Sequence, residues 1–198
     1  MVLSTPPRVV DHESESFKNS TVHSNEAPKH DTLDRYSWMI KWFLMVNLIP
    51  LMWKEDISRA FRRLPVFIDH LRFAGCVFMA NNVKLFCKHL GLPFGSIASV
   101  HGWERMGEFL VTMLRVVALC PALRYVDDFF GVSVEGVTFT GGLMLRVLTA
   151  LVGTLCDPDK SREFMVEMLI LGADIMVDAA ARSFAAQLSA KKAKRWRK

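Results

Sequence analysis

The sequence predicts an α+β domain in which an antiparallel sheet carries its helices packed on one face. Three observations lead to this fold class. Strand-like and helix-like segments alternate irregularly along the chain. Short apolar runs occur in pairs separated by turn residues, as in hairpins. One long segment, residues 97–119, repeats apolar side chains at helical spacing.

The first 34 residues predict a disordered arm. They are rich in Ser, Pro, His and charged residues, and Phe17 is their only aromatic residue. Such a composition buries too little apolar surface to offset the entropy cost of ordering the chain.

An apolar segment with a helical pattern follows over residues 38–48, and residues 51–57 predict a strand in which Asp56 ends the apolar stretch.

The rest of the chain predicts short strands, helices and two hairpins. Pro65 ends a helical turn over residues 58–63, because proline removes a backbone donor and clashes with the preceding turn. The expected strands cover residues 66–68, 73–79, 84–87, 123–127, 129–134, 164–170 and 173–177. The expected helices cover residues 97–119, 138–155 and 179–198. The organisation predicted is an arm (1–34), one domain (35–178) and a basic C-terminal helix or tail (179–198).

Composition indicates an ordinary globular protein. Hydrophobic residues make up 51% of the 198 residues and charged residues 23%. The net charge of +5 is compatible with nucleic-acid binding and decides nothing alone. The cysteines, Cys76, Cys87, Cys120 and Cys156, form no Cys-x-x-Cys pair, which argues against a zinc site or a disulfide framework. We therefore expect a reducing, intracellular compartment, cytoplasmic or nuclear.

Residues 38–53 are the one membrane-like stretch. They contain Lys41, Asn47 and Pro50, and they are shorter than the roughly 20 apolar residues that a spanning helix needs. No signal peptide is visible at the N-terminus, where the first apolar run is only Val2-Leu3. We expect no membrane contact, and the oligomeric state stays open.

The tetrapeptide Tyr125-Val126-Asp127-Asp128 is the most informative feature of the chain. It lies between two apolar runs, residues 116–123 and 129–134. Adjacent carboxylates repel each other, and apolar surroundings strengthen the repulsion. A Mg²⁺ ion would relieve it and could hold substrate phosphates at its remaining coordination positions. Asp pairs are also common in plain turns, so the tetrapeptide alone leaves both interpretations open.

A second segment favours the metal interpretation. Asp56 ends an apolar stretch, and Ala60-Phe61 and Leu64-Pro65-Val66 follow it at fixed offsets. These residues and Tyr125-Val126-Asp127-Asp128 resemble, in order, the motifs of the palm of reverse transcriptases, which are RNA-directed DNA polymerases. The resemblance implies a polymerase palm with partial fingers and thumb.

Two later blocks extend the resemblance over approximately residues 50–178. Residues 92–99, which contain Leu92-Pro93-Phe94-Gly95 and Ser99, are similar to the family's Leu-Pro-x-Gly-x-x-x-Ser block. Lys160-Ser161 and Leu171-Gly172 are similar to its late Lys-Ser and Leu-Gly elements. Phe94 is closer to retrotransposon enzymes than to retroviral ones, which usually have Gln there. Motifs in a shared order are more specific than any one alone.

The resemblance implies nucleotidyl transfer to the 3′-hydroxyl of a DNA primer, directed by an RNA template and using deoxynucleoside triphosphates. It implies two Mg²⁺ ions, with Mn²⁺ as a possible substitute. Asp56, Asp127 and Asp128 are the implied catalytic and metal-binding residues, and the carbonyl of Ile57 is a further ligand. Side chains alternate along a strand, so Asp127 should share a face with Tyr125 while Asp128 points the other way. Unless the turn redirects it, Asp128 should be a secondary ligand.

Four residues are implied to bind the nucleotide. Phe61 would lie beneath the sugar and exclude a 2′-hydroxyl, and a core position is equally open for it. Phe94 and Gly95 would lie under the template base and the nucleotide, since glycine permits close backbone approach; a plain turn glycine is equally open. Lys160 would neutralise or protonate the leaving pyrophosphate, with a solvated loop lysine as the alternative.

The resemblance also implies that Tyr125, Leu171 and Gly172 contact the primer. The basic tail could follow phosphates while its tryptophan stacks on a base. It could also be a nuclear import signal or a solvated end. The residues of this tail are Lys191, Lys192, Lys194, Arg195, Trp196, Arg197 and Lys198.

Two functions are therefore open. The stretch before Asp56 is short for the fingers of the family, Lys41 and Lys54 cannot be matched to its basic residues, and a full thumb is not recognisable. The chain is either a retroelement reverse-transcriptase domain or a truncated or repurposed fragment that at most binds nucleic acid.

Overall fold

The structure is a computed structural model that describes residues 18–21, 27–137 and 140–196. The chain divides into two compact units. The described residues up to Pro28, together with Arg59–Met106, form the first unit. Lys29–Ser58 and the described residues from Gly107 onward form the second unit.

The second unit contains most of the strands. Its elements are α1 (Leu33–Met45), β1 (Pro50–Asp56), β4 (Ala122–Tyr125), β5 (Asp128–Val134), α4 (Gly141–Leu151), β6 (Arg162–Met165), β7 (Glu167–Ile170), β8 (Ala173–Asp178), β9 (Ser183–Leu188) and α5 (Ala190–Trp196). The first unit holds α2 (Ala60–Arg63), β2 (Gly75–Ala80) and β3 (Val83–Lys88), and α3 (Ile97–Val116) begins in it and ends in the second.

An antiparallel sheet of order β4-β5-β1-β6 is the centre of the second unit. One of its faces presents Met52 and its cross-strand partner Val132 to the core. Helix α1 and the sheet β7-β8-β9 cover this face, because the helix residues Tyr36 and Ile40 and the strand residue Ile175 belong to the same buried cluster. The Tyr36 hydroxyl also donates to the Gly131 carbonyl oxygen at 3.2 Å.

The opposite face of this sheet packs against α4 and the C-terminal part of α3. Trp53 is fully buried there, and a Cβ atom on Gly141 of α4 would overlap its indole ring. Gly107 of α3 likewise leaves room for the Arg124 side chain. Helices therefore lie on both faces, which differs from the expected single face. The reason is that α1 has its own apolar stripe, which is buried on the other side.

The first unit contains a two-stranded hairpin, β2–β3. Its turn residues Asn81 and Asn82 have φ of +50° and +62°, the conformation of a type I′ turn, for which asparagine is well suited. The expected strands at residues 66–68 and 73–74 do not form. A 3₁₀ helix, Ile68–Phe73, occupies that segment, and β2 begins only at Gly75. The Phe67 carbonyl accepts from the His70 amide at 2.9 Å, so local bonds replace strand pairing from Ile68 to Phe73, whereas the Val66 amide donates to the Leu90 carbonyl oxygen at 2.8 Å.

The C-terminal segment is also different from the expectation. The sequence predicts a helix over residues 179–198, whereas β9 pairs with β8 from Asp178↔Ser183 to Ala173↔Leu188, and among the described residues of this segment only α5 is helical. Strand pairing there outweighs the helix propensity of the alanine-rich segment.

The N-terminal boundary of the folded part lies earlier than residue 35. Asp31 is buried, accepts from the Arg124 amide at 3.0 Å and forms an ion pair with Arg115 at 2.8 Å. Thr32 caps α1. Nowhere in the described ranges is there a helix long and apolar enough to cross a membrane.

Candidate active site

The ends of two strands bring Asp56, Asp127 and Asp128 together, although Asp56 is distant from the other two in the sequence. Asp56 is the last residue of β1 and pairs directly with Asp128, the first residue of β5. Asp128 also pairs with Tyr125 at the end of β4, so Val126 and Asp127 form a two-residue turn. The Ile57 amide donates to the Asp127 carbonyl oxygen at 3.2 Å. The turn is therefore hydrogen-bonded to the residue that follows β1.

The turn has an unusual backbone. Val126 has φ of +56°, a region that side-chain-bearing residues rarely adopt and that is least suited to a β-branched one. Two-residue hairpin turns with positive φ at the first position normally carry glycine. The guanidinium of the buried Arg124 donates to the Val126 carbonyl oxygen at 3.1 Å. Strained residues persist where surrounding contacts fix them, and they concentrate at functional sites.

This turn corrects one prediction about side-chain direction. Asp127 lies in the turn rather than in a strand, so the alternation rule does not apply to it. Tyr125 and Asp128 are directly opposite each other, and directly opposite residues of antiparallel strands point to the same face. Asp56 is the partner of Asp128 on β1 and shares that face.

Two lysines compensate the negative charge. Lys160 Nζ lies 2.8 Å from Asp56 Oδ1 and 3.7 Å from Asp157 Oδ2. Lys54 Nζ lies 3.0 Å from Asp128 Oδ1. The pKa of Asp127 is raised by burial and further by the charges of Asp56 and Asp128. The site thus concentrates three carboxylates that repel one another.

The donor chemistry fits a divalent cation, because carboxylate oxygens are the ligands that Mg²⁺ prefers. Among the residues that the structure describes, no three His, Cys, Asp or Glu side chains form a set that could hold a metal ion. Lys160 and Lys54 supply the positive charge at two of the carboxylates instead. Metal binding by Asp56, Ile57, Asp127 and Asp128 stays a prediction.

A buried polar network lies on the opposite face of β1, and sequence reasoning missed it. Glu55 is fully buried, and Arg146 of α4 donates to its Oε1 from Nε at 2.9 Å and from Nη2 at 2.6 Å. The Ser161 hydroxyl donates to the other carboxylate oxygen. Burial raises the pKa of Glu55, whereas the bonds from Arg146 and Ser161 oppose that rise. A charged residue directly before Asp56 in an apolar strand was the available signal.

A pocket of about 580 Å³ adjoins Asp128. Tyr125, Leu171 and Gly172, the predicted primer-binding residues, all line it, together with Asp128. Lys192 of α5 also lines it and donates to the Leu171 carbonyl oxygen at 2.7 Å. The structure therefore brings the predicted primer contacts together, and it adds one residue of the basic tail to them.

The other predicted site residues lie in the first unit or in the C-terminal tail. Phe61, Phe94 and Gly95 belong to the first unit, where the Phe61 and Phe94 rings meet edge to face at 5.5 Å. Phe61 is buried, and Gly95 has φ of +104°, which favours glycine. Their nucleotide-binding role stays a prediction. In the tail, Lys194 is exposed. Arg197 and Lys198 lie outside the described residues, as do the side chains of Lys191, Arg195 and Trp196.

The chain is similar to solved structures of the foamy viral protease–reverse transcriptase. One of them, its dRH form in complex with double-stranded DNA, gives a TM-score of 0.66 at 19% identity, covering 98% of this chain and 31% of that one. The complex with an RNA/DNA hybrid gives 0.56 at 17% identity, with 87% and 21% covered. A further complex with double-stranded DNA gives 0.58 at 20% identity, with 91% and 34% covered.

These similarities show a reverse-transcriptase-like fold, and the chain spans about a third or less of the matched chains. No family model matches the chain. No curated protein matches it either.

Proposed function

We propose that this chain is the palm-like part of a retrotransposon-type reverse transcriptase, which extends a DNA primer on an RNA template. The observation that carries the proposal is the pairing of Asp56 with Asp128 across β1 and β5, with Asp127 in the adjoining strained turn. Carboxylates from two strand ends can surround hard cations that neither strand could hold alone. The reverse-transcriptase-like fold supports the same reading of these residues.

Asp56, Asp127 and Asp128, with the carbonyl of Ile57, would hold two Mg²⁺ ions, or Mn²⁺ in their place. When bound, such ions activate the attacking hydroxyl and stabilise the charge that develops on the phosphoryl oxygens. The polypeptide supplies the carboxylates and keeps them close despite their repulsion. The hydrogen bonds from Arg124 to the turn and from Ile57 to Asp127 provide that restraint.

Lys160 can neutralise negative charge that develops next to Asp56. Its side chain is 45% exposed, so its ammonium group is accessible to a phosphate, and the bound cations would then balance the charge of Asp56, whose side chain is 15% exposed. In the proposed reaction it neutralises or protonates the leaving pyrophosphate. Phe61, Phe94 and Gly95 are proposed to hold the incoming deoxynucleotide, with the Phe61 ring excluding a 2′-hydroxyl.

The pocket beside Asp128 is proposed to hold the primer end. Tyr125 offers a 44% exposed aromatic ring for a base or sugar. Leu171 and Gly172 form a turn with positive φ at both residues, and Gly172 permits close approach to its backbone. Lys192 brings a cation that would suit a primer phosphate, provided it leaves the Leu171 carbonyl oxygen.

The decisive test measures Mn²⁺ binding by water-proton relaxation, followed by single-nucleotide addition to a primed RNA template. We expect the complete chain to bind Mn²⁺ and Asp127→Asn to lose at least about tenfold in affinity, because one anionic ligand is gone. Asp69→Asn is the matched control, since it removes one exposed carboxylate from the first unit. Equal Mn²⁺ affinity of the two variants would contradict the proposed metal site.

A specific observation favours a second candidate, a non-catalytic nucleic-acid-binding fragment. Lys160 and Lys54 already pair with two of the three carboxylates, as expected of a site that uses salt bridges for stability. Under this alternative, hybrid binding is unaffected by Asp127→Asn, and no Mn²⁺-dependent addition occurs. Addition that requires both Mn²⁺ and Asp127 would exclude it.

A further inference from the structure

Two cysteines that lie 11 positions apart in the sequence face each other in the first unit. Cys76 on β2 and Cys87 on β3 are direct cross-strand partners. Their Sγ atoms are 2.9 Å apart. The sequence spacing gave no sign of this pair, because the proximity arises from the hairpin register.

The hairpin geometry suits a covalent link. The His89 amide donates to the Ala74 carbonyl oxygen at 2.9 Å, two positions from the cysteines, so Cys76 and Cys87 occupy a hydrogen-bonded pair of the ladder. Such pairs have Cα atoms about 5.5 Å apart, within the range of roughly 4.4–6.8 Å that disulfides span. A bonded S–S distance of about 2.05 Å needs a sulfur movement of less than about 1 Å. The backbone need not move.

The two thiols are accessible to small reagents. Cys87 is exposed and Cys76 is half-buried, and every residue of β3 is exposed to solvent. The remaining cysteines are less suited to reaction. Burial raises the pKa of Cys120, and it raises the pKa of Cys156 to about 11. Since the thiolate is the nucleophile, those two thiols should react slowly at neutral pH.

We propose that Cys76 and Cys87 form a redox-modification site that is oxidised by low-molecular-weight disulfides. The Cys87 thiolate attacks one sulfur of the external disulfide and displaces a thiolate. The Cys76 thiolate then attacks the Cys87 sulfur of the mixed disulfide and displaces the second thiolate. The two protein thiols lose two electrons, the external disulfide becomes two thiols, and these take up the two protons.

The bond would fasten β2 to β3 at the end opposite the Asn81-Asn82 turn. Opening of the hairpin would then be restricted at both ends, since a cross-link removes the conformations in which the strands separate. Amide hydrogen exchange of β2 and β3 should slow on oxidation and return on reduction. Exchange in β4 and β5 serves as the internal reference.

The test treats the complete reduced chain with oxidised glutathione. We expect the intact mass to fall by about 2 Da, because two thiol hydrogens leave, with peptide mapping linking Cys76 to Cys87. The Cys120→Ser/Cys156→Ser double variant should give the same result. Cys76→Ser should instead retain a glutathione adduct on Cys87, at least about tenfold more than the unmodified chain, since no second thiol displaces it.

Three results would overturn the proposal. One is a persistent glutathione adduct on Cys76 or Cys87 of the unmodified chain. Another is covalent dimers that increase with protein concentration in place of the internal bond. The third is a link from either cysteine to Cys120 or Cys156 under native conditions.

Discussion

At the residue scale, the backbone of Val126 is the clearest sign of a specialised turn. A β-branched residue at φ +56° costs free energy that most turns avoid by using glycine. Here the cost is offset by the hydrogen bond from Arg124 and by the pairing of the flanking residues Tyr125 and Asp128. The turn is held in one conformation, which fixes where the Asp127 carboxylate lies.

Replacing Val126 with glycine should stabilise the fold. Relief of strain of about 1–3 kcal/mol exceeds the entropy cost of an added glycine, which is about 0.5–1 kcal/mol, so the net gain is about 1 kcal/mol. Denaturant unfolding of the two chains measures it. Val134→Gly, at a position of β5 without positive φ, is the control and should destabilise the fold. A similar loss in both variants would show that the turn is unstrained.

The Cys156 thiol should show a shifted pH dependence of alkylation. Its pKa of about 11, against an ordinary value of 9.0, comes mainly from burial. Because a raised pKa lowers the thiolate fraction, alkylation near pH 8 should be about 100-fold slower than for an ordinary cysteine. A chain with serine at the other three cysteines isolates this thiol. The rate should still be rising steeply above pH 10, whereas that of the urea-unfolded chain should reach half of its plateau near pH 9.0. A half-maximal rate near pH 9 in the folded chain would disprove the shift.

At the element scale, one buried carboxylate connects a strand, a helix and a loop. Glu55 of β1 accepts from Arg146 of α4 and from Ser161, which precedes β6. The Ser161 hydroxyl is also 3.0 Å from the Asp157 carbonyl oxygen, and the Asp157 amide donates to the Asp56 carbonyl oxygen at 2.8 Å. This network therefore holds the loop that carries Lys160 against the end of β1.

Arg146→Ala should destabilise the protein strongly. It leaves the Glu55 carboxylate buried without its cation, and breaking a buried pair in this way costs about 3–5 kcal/mol. Since the Arg146 side chain is 41% exposed and water can replace part of it, we expect about 2–3 kcal/mol. The free energy of unfolding in urea measures the loss.

The double variant Glu55→Met/Arg146→Met tests the reason for this loss. An apolar pair should recover much of the stability, because no buried charge is left uncompensated. Glu163→Gln, which removes only the charge of the outer carboxylate and keeps an acceptor oxygen, is the matched control. It should cost less than about 1 kcal/mol, because the side chains of this pair are partly exposed. A loss equal to that of Arg146→Ala would place the main interaction at Glu163 instead.

At the scale of the whole molecule, opposite charges separate along the chain. The acidic side chains meet at the ends of β1 and β5, while the C-terminal segment is basic within a chain of net charge +5. Lys160 and Lys54 neutralise part of the acidic cluster. Phosphate-backbone binding should therefore depend on the remaining cations and be sensitive to salt.

The complete chain should bind RNA–DNA hybrids weakly and without sequence preference, so it should add single nucleotides inefficiently and should not extend primers processively. Deleting residues 191–198 should weaken binding equally for all sequences and reduce the dependence of affinity on salt, because cations that release counterions are removed. Fluorescence anisotropy at several salt concentrations measures both effects. Lys84→Ala, a single exposed cation on β3, is the control. An unchanged salt dependence after the deletion, or processive extension at physiological salt, would contradict this expectation.

The sequence by itself determined the chemical groups and the local elements. The helical spacing from residue 97, the strand that ends at Asp56 and the hairpin around Asp127 are local patterns, and all three elements form. The order of the motifs indicated a reverse-transcriptase-like fold, which the solved structures support. Local patterns suffice for these features because their periods are set by neighbouring residues.

Only the tertiary structure decided which groups meet. The register that places Asp56 opposite Asp128 depends on pairing between strands about 70 residues apart in sequence. The ion pair of Lys160 with Asp56 spans 104 positions, the carboxylate of Glu55 reaches Arg146 across 91, and the two cysteines meet through a hairpin. Strand β9 forms where helix propensity predicted otherwise, because it pairs with β8, whose other edge pairs with β7 and whose Ile175 is buried in the core. Such contacts are selected by the packing of the whole unit, which no local period encodes.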